Sequence, residues 1–277
     1  MKFFSLLSLA LCCLSLNAES QKTTSNSFFT VIKSKMTQGG YLIGEINRLE
    51  SSKRLVFLDQ EVSVDENGKF IIGFGRDFPE VAELKVLKNS GEEVLKFAIA
   101  PREYRIERID GLPPKKVNPT SKEVLDRIRK DSSEIRLARK TISSLPYFAD
   151  TFKMPAQGRI SGYYGSQRIL NGDPKRPHFG QDIAAPVGTP VYAPASGKVT
   201  LAHTDMFYSG ATIIIDHGYG LNSTYLHLNS ISVKVGQQVK QGEQIGTIGE
   251  SGRATGPHLD WRINWLNQRL DPALFVE

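Results

Sequence analysis

Two short segments place metal-capable side chains in matching positions. In GPHLDWRI, residues 256–263, His258 and Asp260 stand two apart, so on a strand both project from one face while Leu259 and Trp261 project from the other. In PHFGQDIAAP, His178 and Asp182 stand four apart, a spacing that shares a face on a helix and also on a strand; Pro177 and Gly180 favour the extended form. In YLHL, His227 sits between apolar neighbours, a setting that taken alone belongs more often to a histidine satisfied inside a core. Imidazole and carboxylate are ligands for zinc and related divalent ions, and an imidazole beside such an ion can carry a proton. None of the three segments is specific by itself.

Other polar candidates are weaker. His217, in IIIDHGYG, follows an apolar run at a turn and reads as structural. His203 opens a loop with Asp205, Phe207 and Tyr208 and reads as the rim of a groove. Ser223 lacks the glycine pattern of a nucleophile elbow, which argues against a serine hydrolase. Arg168 and Tyr225 are candidates for lining a groove, with structural roles as the alternative.

The elements that must position these residues are mostly β. Residues 151–277 contain glycine-punctuated runs such as TPVYAPASGKVTLAH, GATIIIDHG and LNSTYLHL, which predict an antiparallel β domain; all five histidines lie in it. Residues 19–112 contain SFFTVIKS, GGYLIGEI, RLVFLD, KFIIGF, AELKVL, EVLKFAIA and YRIERI, separated by turn signals such as Glu66-Asn67-Gly68, and predict a small antiparallel β-sandwich. Between them, residues 113–150 combine a proline-rich linker with a helix expected near 121–144. Its signs are Thr120 and Glu123 as a capping box, and Val124, Leu125, Ile128, Ile135, Ala138 and Ile142 at helical spacing.

Residues 1–18 have one early positive charge, an apolar run from Phe3 to Leu16 and a small residue at Ala18, the pattern of a secretory signal peptide. Both cysteines, Cys12 and Cys13, fall inside it, so the expected exported chain has no disulfide. No later run approaches the roughly 20 apolar residues that span a bilayer. The net charge of +6 drops by one when Lys2 is removed, and suits an anionic polymer outside the membrane. No nucleic-acid-binding motif accompanies that charge.

The surroundings of the three segments resemble the lysostaphin-like zinc metallopeptidases, exported enzymes that cut peptide bonds in bacterial peptidoglycan. The resemblance runs from 151 to 277 through GRISGYYGSQR, PHFGQDIAAPVGTPVYAPASGKV, IIIDHGYG, YLHL, VKVGQQVKQGEQIG and SGRATGPHLDW. The β-rich front half and the PPKKV linker are similar to the amino-terminal regions of Gram-negative members. The resemblance implies a periplasmic endopeptidase acting on peptidoglycan, with cell-wall proteins as candidate partners and one Zn2+ held by His178, Asp182 and Asp260. It also makes His258 and His227 the catalytic pair that orients water and stabilises the transition state. This chain has Asp260 where the family pattern has a second histidine, which lowers the charge of the three ligands plus zinc from +1 to near zero and opens the site to another divalent metal.

Two other readings compete. One is a catalytically weak or inactive relative that binds peptidoglycan or activates another hydrolase. The other is a biotin or lipoate carrier, suggested by the Val and Gly repetition of VKVGQQVKQGEQIG; its hairpin tip GESGRATG has no lysine to carry the cofactor.

Overall fold

The computed structural model describes residues 28–47, 54–112 and 117–276. The expected signal peptide, both cysteines and Pro113 with Pro114 lie outside those residues. Among the described residues the chain is mostly β and largely antiparallel, as the alternation of the sequence predicts.

The front half runs β1 (Phe29–Lys35), β2 (Tyr41–Ile46), β3 (Arg54–Phe57), β4 (Gln60–Val62), β5 (Lys69–Gly73), β6 (Val81–Lys88) and β7 (Gly91–Ala98). These strands form two antiparallel sheets, ordered β1-β2-β5 and β4-β3-β6-β7. The period of two is plain in β6, where Ala82, Leu84 and Val86 are buried while Val81 and Glu83 face out. Phe29 meets Phe70 edge-on at 5.2 Å between ring centroids. The Asn67-Gly68 turn is held by Asp65, whose Oδ1 accepts from the backbone N–H of Asn67 and Lys69, with Gly68 at φ +86°.

The next strand, β8 (Ile106–Ile109), departs from expectation. It leaves the sandwich and pairs in parallel with a strand of the second half, Gln167–Leu170. The helix also differs: α1 spans Lys122–Arg139, and Ser121 caps it by accepting from the Val124 N–H. Thr120 therefore does not supply the cap, and Ile142 lies past the helix end, 53% exposed.

The second half contains β9 (Arg159–Gly162), β10 (Gln167–Leu170), β11 (Asp173–Pro174), β12 (Gln181–Ala184), β13 (Pro190–Tyr192), β14 (Gly197–Met206) and β15 (Gly210–Gly218). It continues with β16 (Leu221–Ile231), β17 (Gln238–Val239), β18 (Gln244–Ile248), β19 (His258–Trp265) and β20 (Gln268–Leu270). The main sheet runs β17-β14-β15-β16-β19-β12-β9, with β13, β18 and β20 attached at its sides. Every residue of β15 is buried because both of its faces are covered. One face carries Ile213 and Ile215 into the main core; on the other, Ile214 packs with Leu201, Met206 and Ala138 of α1.

The main core is continuous across the two halves. Phe57 of β3 lies 6.0 Å from Trp265 of β19, and Tyr41 of β2 stacks on Phe275 at 4.2 Å. A Cβ added to Gly73 of β5 would meet the Leu270 side chain at 2.9 Å, so the glycine allows the close approach of that side chain.

Candidate metal centre

β12 and β19 are antiparallel neighbours, and their register sets Asp182 opposite Asp260 and Ala184 opposite His258. Directly opposed residues share a face, so Asp182 joins His258 and Asp260, which even spacing already puts together, on one side of the main sheet. His178 enters from the loop before β12. One ligand atom from each of His178, Asp182 and Asp260 lies within 4.8 Å of the other two, and all three residues are buried. Two glycines make room for the carboxylates: a Cβ at Gly162 would collide with Asp182, and one at Gly180 with Asp260.

His178 Nε2 and Asp182 Oδ1 are 3.0 Å apart. Both are buried, and neither has a partner other than the other. Buried ligand atoms satisfied by nothing else are costly, and an imidazole nitrogen and a carboxylate oxygen this close suit a shared cation. Ligand atoms about 2.0 Å from a tetrahedral zinc stand roughly 3.3 Å from one another, close to the spacing observed. The donor set and the spacing of these two atoms therefore fit a divalent metal ion.

The third residue is already occupied in a way the sequence reading did not foresee. Arg262, two residues after Asp260 on the same face, donates from Nε to Asp260 Oδ1 at 2.9 Å and from Nη2 to Oδ2. Arg168 likewise donates to Asp182 Oδ2 at 3.0 Å and lies 3.6 Å from Glu107 of β8. Burial, the largest influence on Asp260, acts to raise its pKa, but Arg262 and then His178 outweigh it and hold the carboxyl far below its usual range. For Asp182, burial again acts upward, and His178 together with Arg168 leaves the net shift downward. Each carboxylate thus has its own guanidinium. The near-zero charge expected for three ligands plus zinc becomes about +2 once Arg168 and Arg262 are included, while Asp260 offers the metal only lone pairs left over from a bidentate pair.

His227 reaches the site by breaking its strand's alternation. Leu226 is opposite Asp260, so a regular strand would send His227 to the core side with Tyr225. Instead His227 takes φ +62°, beside irregularities in the β15–β16 and β16–β18 registers, and its ring lies 4.8 Å from that of His258. A left-handed non-glycine residue costs on the order of 1–3 kcal/mol and persists where the surroundings enforce it. Here the His227 N–H bonds Ser209 O, and Nδ1 lies 2.8 Å from Ser251 O. His258 Nδ1 is 2.8 Å from Gly256 O. Since a carbonyl only accepts, both rings carry their proton on Nδ1 and leave Nε2 as the proton acceptor. Burial brings the His227 pKa down to about 4, so its ring is neutral at pH 7.

The remaining candidates fall elsewhere. Tyr225 is fully buried on the core side, its hydroxyl 2.7 Å from Ser223 Oγ, and does not line the groove. Ser223 is also 2.7 Å from His217 Nε2, in a buried network closed by the Ser196 carbonyl on His217 Nδ1. Neither Ser223 nor His217 reaches the surface. His203 lies in β14, 3.9 Å from Glu134 of α1.

A sequence profile of peptidase family M23 matches residues 176–272, which contain all five candidate site residues. A Pseudomonas aeruginosa crystal structure assigned to peptidase M23 is 30% identical with a TM-score of 0.69, covering 87% of this chain and 95% of its own. The chain belongs to the M23 peptidase family. Among curated relatives, the peptidoglycan DD-endopeptidase ShyA of Vibrio cholerae is 39% identical over 126 residues, which is 45% of this chain and 29% of ShyA. A metalloprotease of Haemophilus influenzae is 38% identical over 122 residues, 44% of this chain and 26% of that protein. The matched stretch spans less than a third of either curated relative.

Proposed function

We propose that this M23 chain is an exported zinc metalloendopeptidase that hydrolyses peptide cross-links of peptidoglycan during cell-wall remodelling in the periplasm. The observation that carries the reading is the pair of buried ligand atoms, His178 Nε2 and Asp182 Oδ1, which have no partner but each other, beside the His227–His258 pair. The DD-endopeptidase relative supports the substrate class. A bound zinc ion would polarise the peptide carbonyl and make water more acidic.

The chain's own residues account for the proton traffic. His258 Nε2 accepts a proton from the attacking water. His258 returns that proton to the leaving amine, either directly or by way of the neighbouring His227, whose Nε2, neutral because the ring is buried, takes it up and while holding it donates to the developing oxyanion. Exchanging the two histidine roles fits the geometry equally well. Gly162 and Gly180 keep the carboxylates close enough to hold the ion. Among the described residues no helix is long and apolar enough to cross a membrane.

One observation favours a second reading. Arg262 occupies both oxygens of Asp260, which weakens the third ligand and points to a weakly active member that binds peptidoglycan or activates another hydrolase.

Digestion of purified sacculi followed by muropeptide analysis tests both readings. Hydrolysis should convert cross-linked dimers to monomers, stop with a chelator and return with zinc. Unchanged cross-linking at several pH values and with several divalent metals selects the binding module. The roles separate in variants: His258→Ala should keep metal content and lose rate by about 100-fold or more, whereas His178→Ala should lose both.

A further inference from the structure

Positive charge accumulates on the same sheet face, one step beyond the metal ligands. Thr224 of β16 is opposite Arg262 of β19, and Arg139 at the end of α1 donates from Nη2 to Thr224 Oγ1 at 3.1 Å. Arg269 of β20 is opposite Asn264 and donates to its Oδ1. Asn264 in turn donates to Asn222 Oδ1 at 3.1 Å. Arg139, Arg262 and Arg269 therefore surround a polar floor of Thr224, Asn222 and Asn264, and each guanidinium-bearing residue is only partly buried.

Their charges are not balanced. Asp260 neutralises Arg262, and the carbonyl end of α1 offsets about half a charge on Arg139. Asp216, opposite Asn222 on the next strand, accepts from the Gly218 N–H through Oδ1 and leaves Oδ2 as a lone buried acceptor at the outer edge of this floor, away from the guanidinium groups that act on Arg139 and Arg269. Burial, then Arg269 and Arg262, lower the Arg139 pKa, while burial, then Arg262 and Arg176, bring that of Arg269 down to about 10. Two donors are left over as well: Arg139 Nε and Asn222 Nδ2 are buried without a partner. Surplus donors with surplus positive charge are what a bound anion relieves.

We propose that Arg139, Arg262 and Arg269, over the Asn222–Thr224 floor, form a subsite for a carboxylate of an acidic peptide lying in the groove. A guanidinium fork matches a planar carboxylate. At about 3.3–3.4 Å per strand residue, Arg262 and Asn264 stand about 7 and 13 Å along β19 from Asp260, so the carboxylate belongs two to four peptide residues from the bond at the metal centre. The subsite's role as part of a substrate groove rests on the proposed endopeptidase reading; its anion chemistry does not.

Binding of acetyl-Ala-Glu-Ala amide, acetyl-Ala-Gln-Ala amide and inorganic phosphate to the full chain, measured by calorimetry with a chelator present, tests it without any need for hydrolysis. The glutamate peptide should bind about tenfold more tightly than the glutamine peptide, and phosphate should compete with it. Arg139→Gln and Arg269→Gln should each erase the preference, and Arg139→Lys should keep part of it. With no peptide present, Arg139→Gln should melt no lower than the parent, because it removes like-charge repulsion. Phosphate binding without discrimination between the peptides overturns the carboxylate assignment. A variant that melts several degrees lower, in a parent that shows no preference, makes Arg139 a structural strut and overturns the subsite. Cross-link hydrolysis without peptide discrimination also rejects the subsite, while leaving the endopeptidase reading in place.

Discussion

Asp260 and Arg262 behave as one unit, and substitutions have to be judged on that basis. From the sequence alone, Asp260→His looks like a restoration of the family's ligand pair. In the structure it removes the counter-ion of a partly buried guanidinium, so the single change should cost about 3–5 kcal/mol of stability and gain little zinc. Asp260→His combined with Arg262→Met should recover most of that loss and bind zinc more tightly than the parent. Calorimetric melts and zinc competition against a chelator on both variants check this, and a stable, tight-binding single variant would remove the coupling. Asp260→Ala should lose most metal affinity, with only His178 and Asp182 left to hold the ion. His258 and Asp260 were legible as a pair because even spacing on one strand fixes a shared face; the three-ligand set, with His178 on the loop before β12, followed only from the resemblance of the surrounding segments. Arg262, two places beyond Asp260, shares that face by the same spacing, and a carboxylate in the middle of a sheet needs a neutralising group that ligand types alone do not reveal.

At the scale of elements, the strands followed from alternation, but their irregular points did not. Tyr225-Leu226-His227-Leu228 reads as a regular strand, and the left-handed backbone that brings His227 to His258 depends on long-range contacts with Ser209 and Ser251. For the same reason β8 could not be assigned to β10: local pattern predicts a strand and leaves its partner open. The β15–β16 pair carries a pH prediction of its own. Burial holds the His217 pKa down at about 4, against 6.5 for a free imidazole. The unfolded chain therefore binds the extra proton first as pH falls. The stability that this neutral ring supplies is complete above about pH 6.5, and is lost between 6.5 and 4 by about 3 kcal/mol. Denaturant unfolding of the parent and His217→Gln across that range should show a shallower acid loss in the variant. Parallel curves would mean that His217 does not titrate in this way.

For the whole molecule, the continuous core predicts one cooperative unfolding transition instead of two. Phe57→Ala, in the front sandwich, should cost about 3–5 kcal/mol because it opens a cavity against Trp265. A scanning melt should show the entire transition moving down, with the candidate metal centre lost together with the sandwich. A chain beginning at Phe152 should be much less stable than the parent, and two separate transitions in the parent would contradict this picture. Glu107 of β8 also touches Arg168, the counter-ion of Asp182, so the front half contributes to the electrostatics of the site. The contacts of Trp265, Leu270 and Phe275 with the front sandwich bear on inheritance. A gene crossover near residue 150 would carry the five site residues intact and leave their apolar back face without its cover. Recombination at that joint should seldom yield a viable protein, so the two halves are expected to descend together and to change in step where they touch.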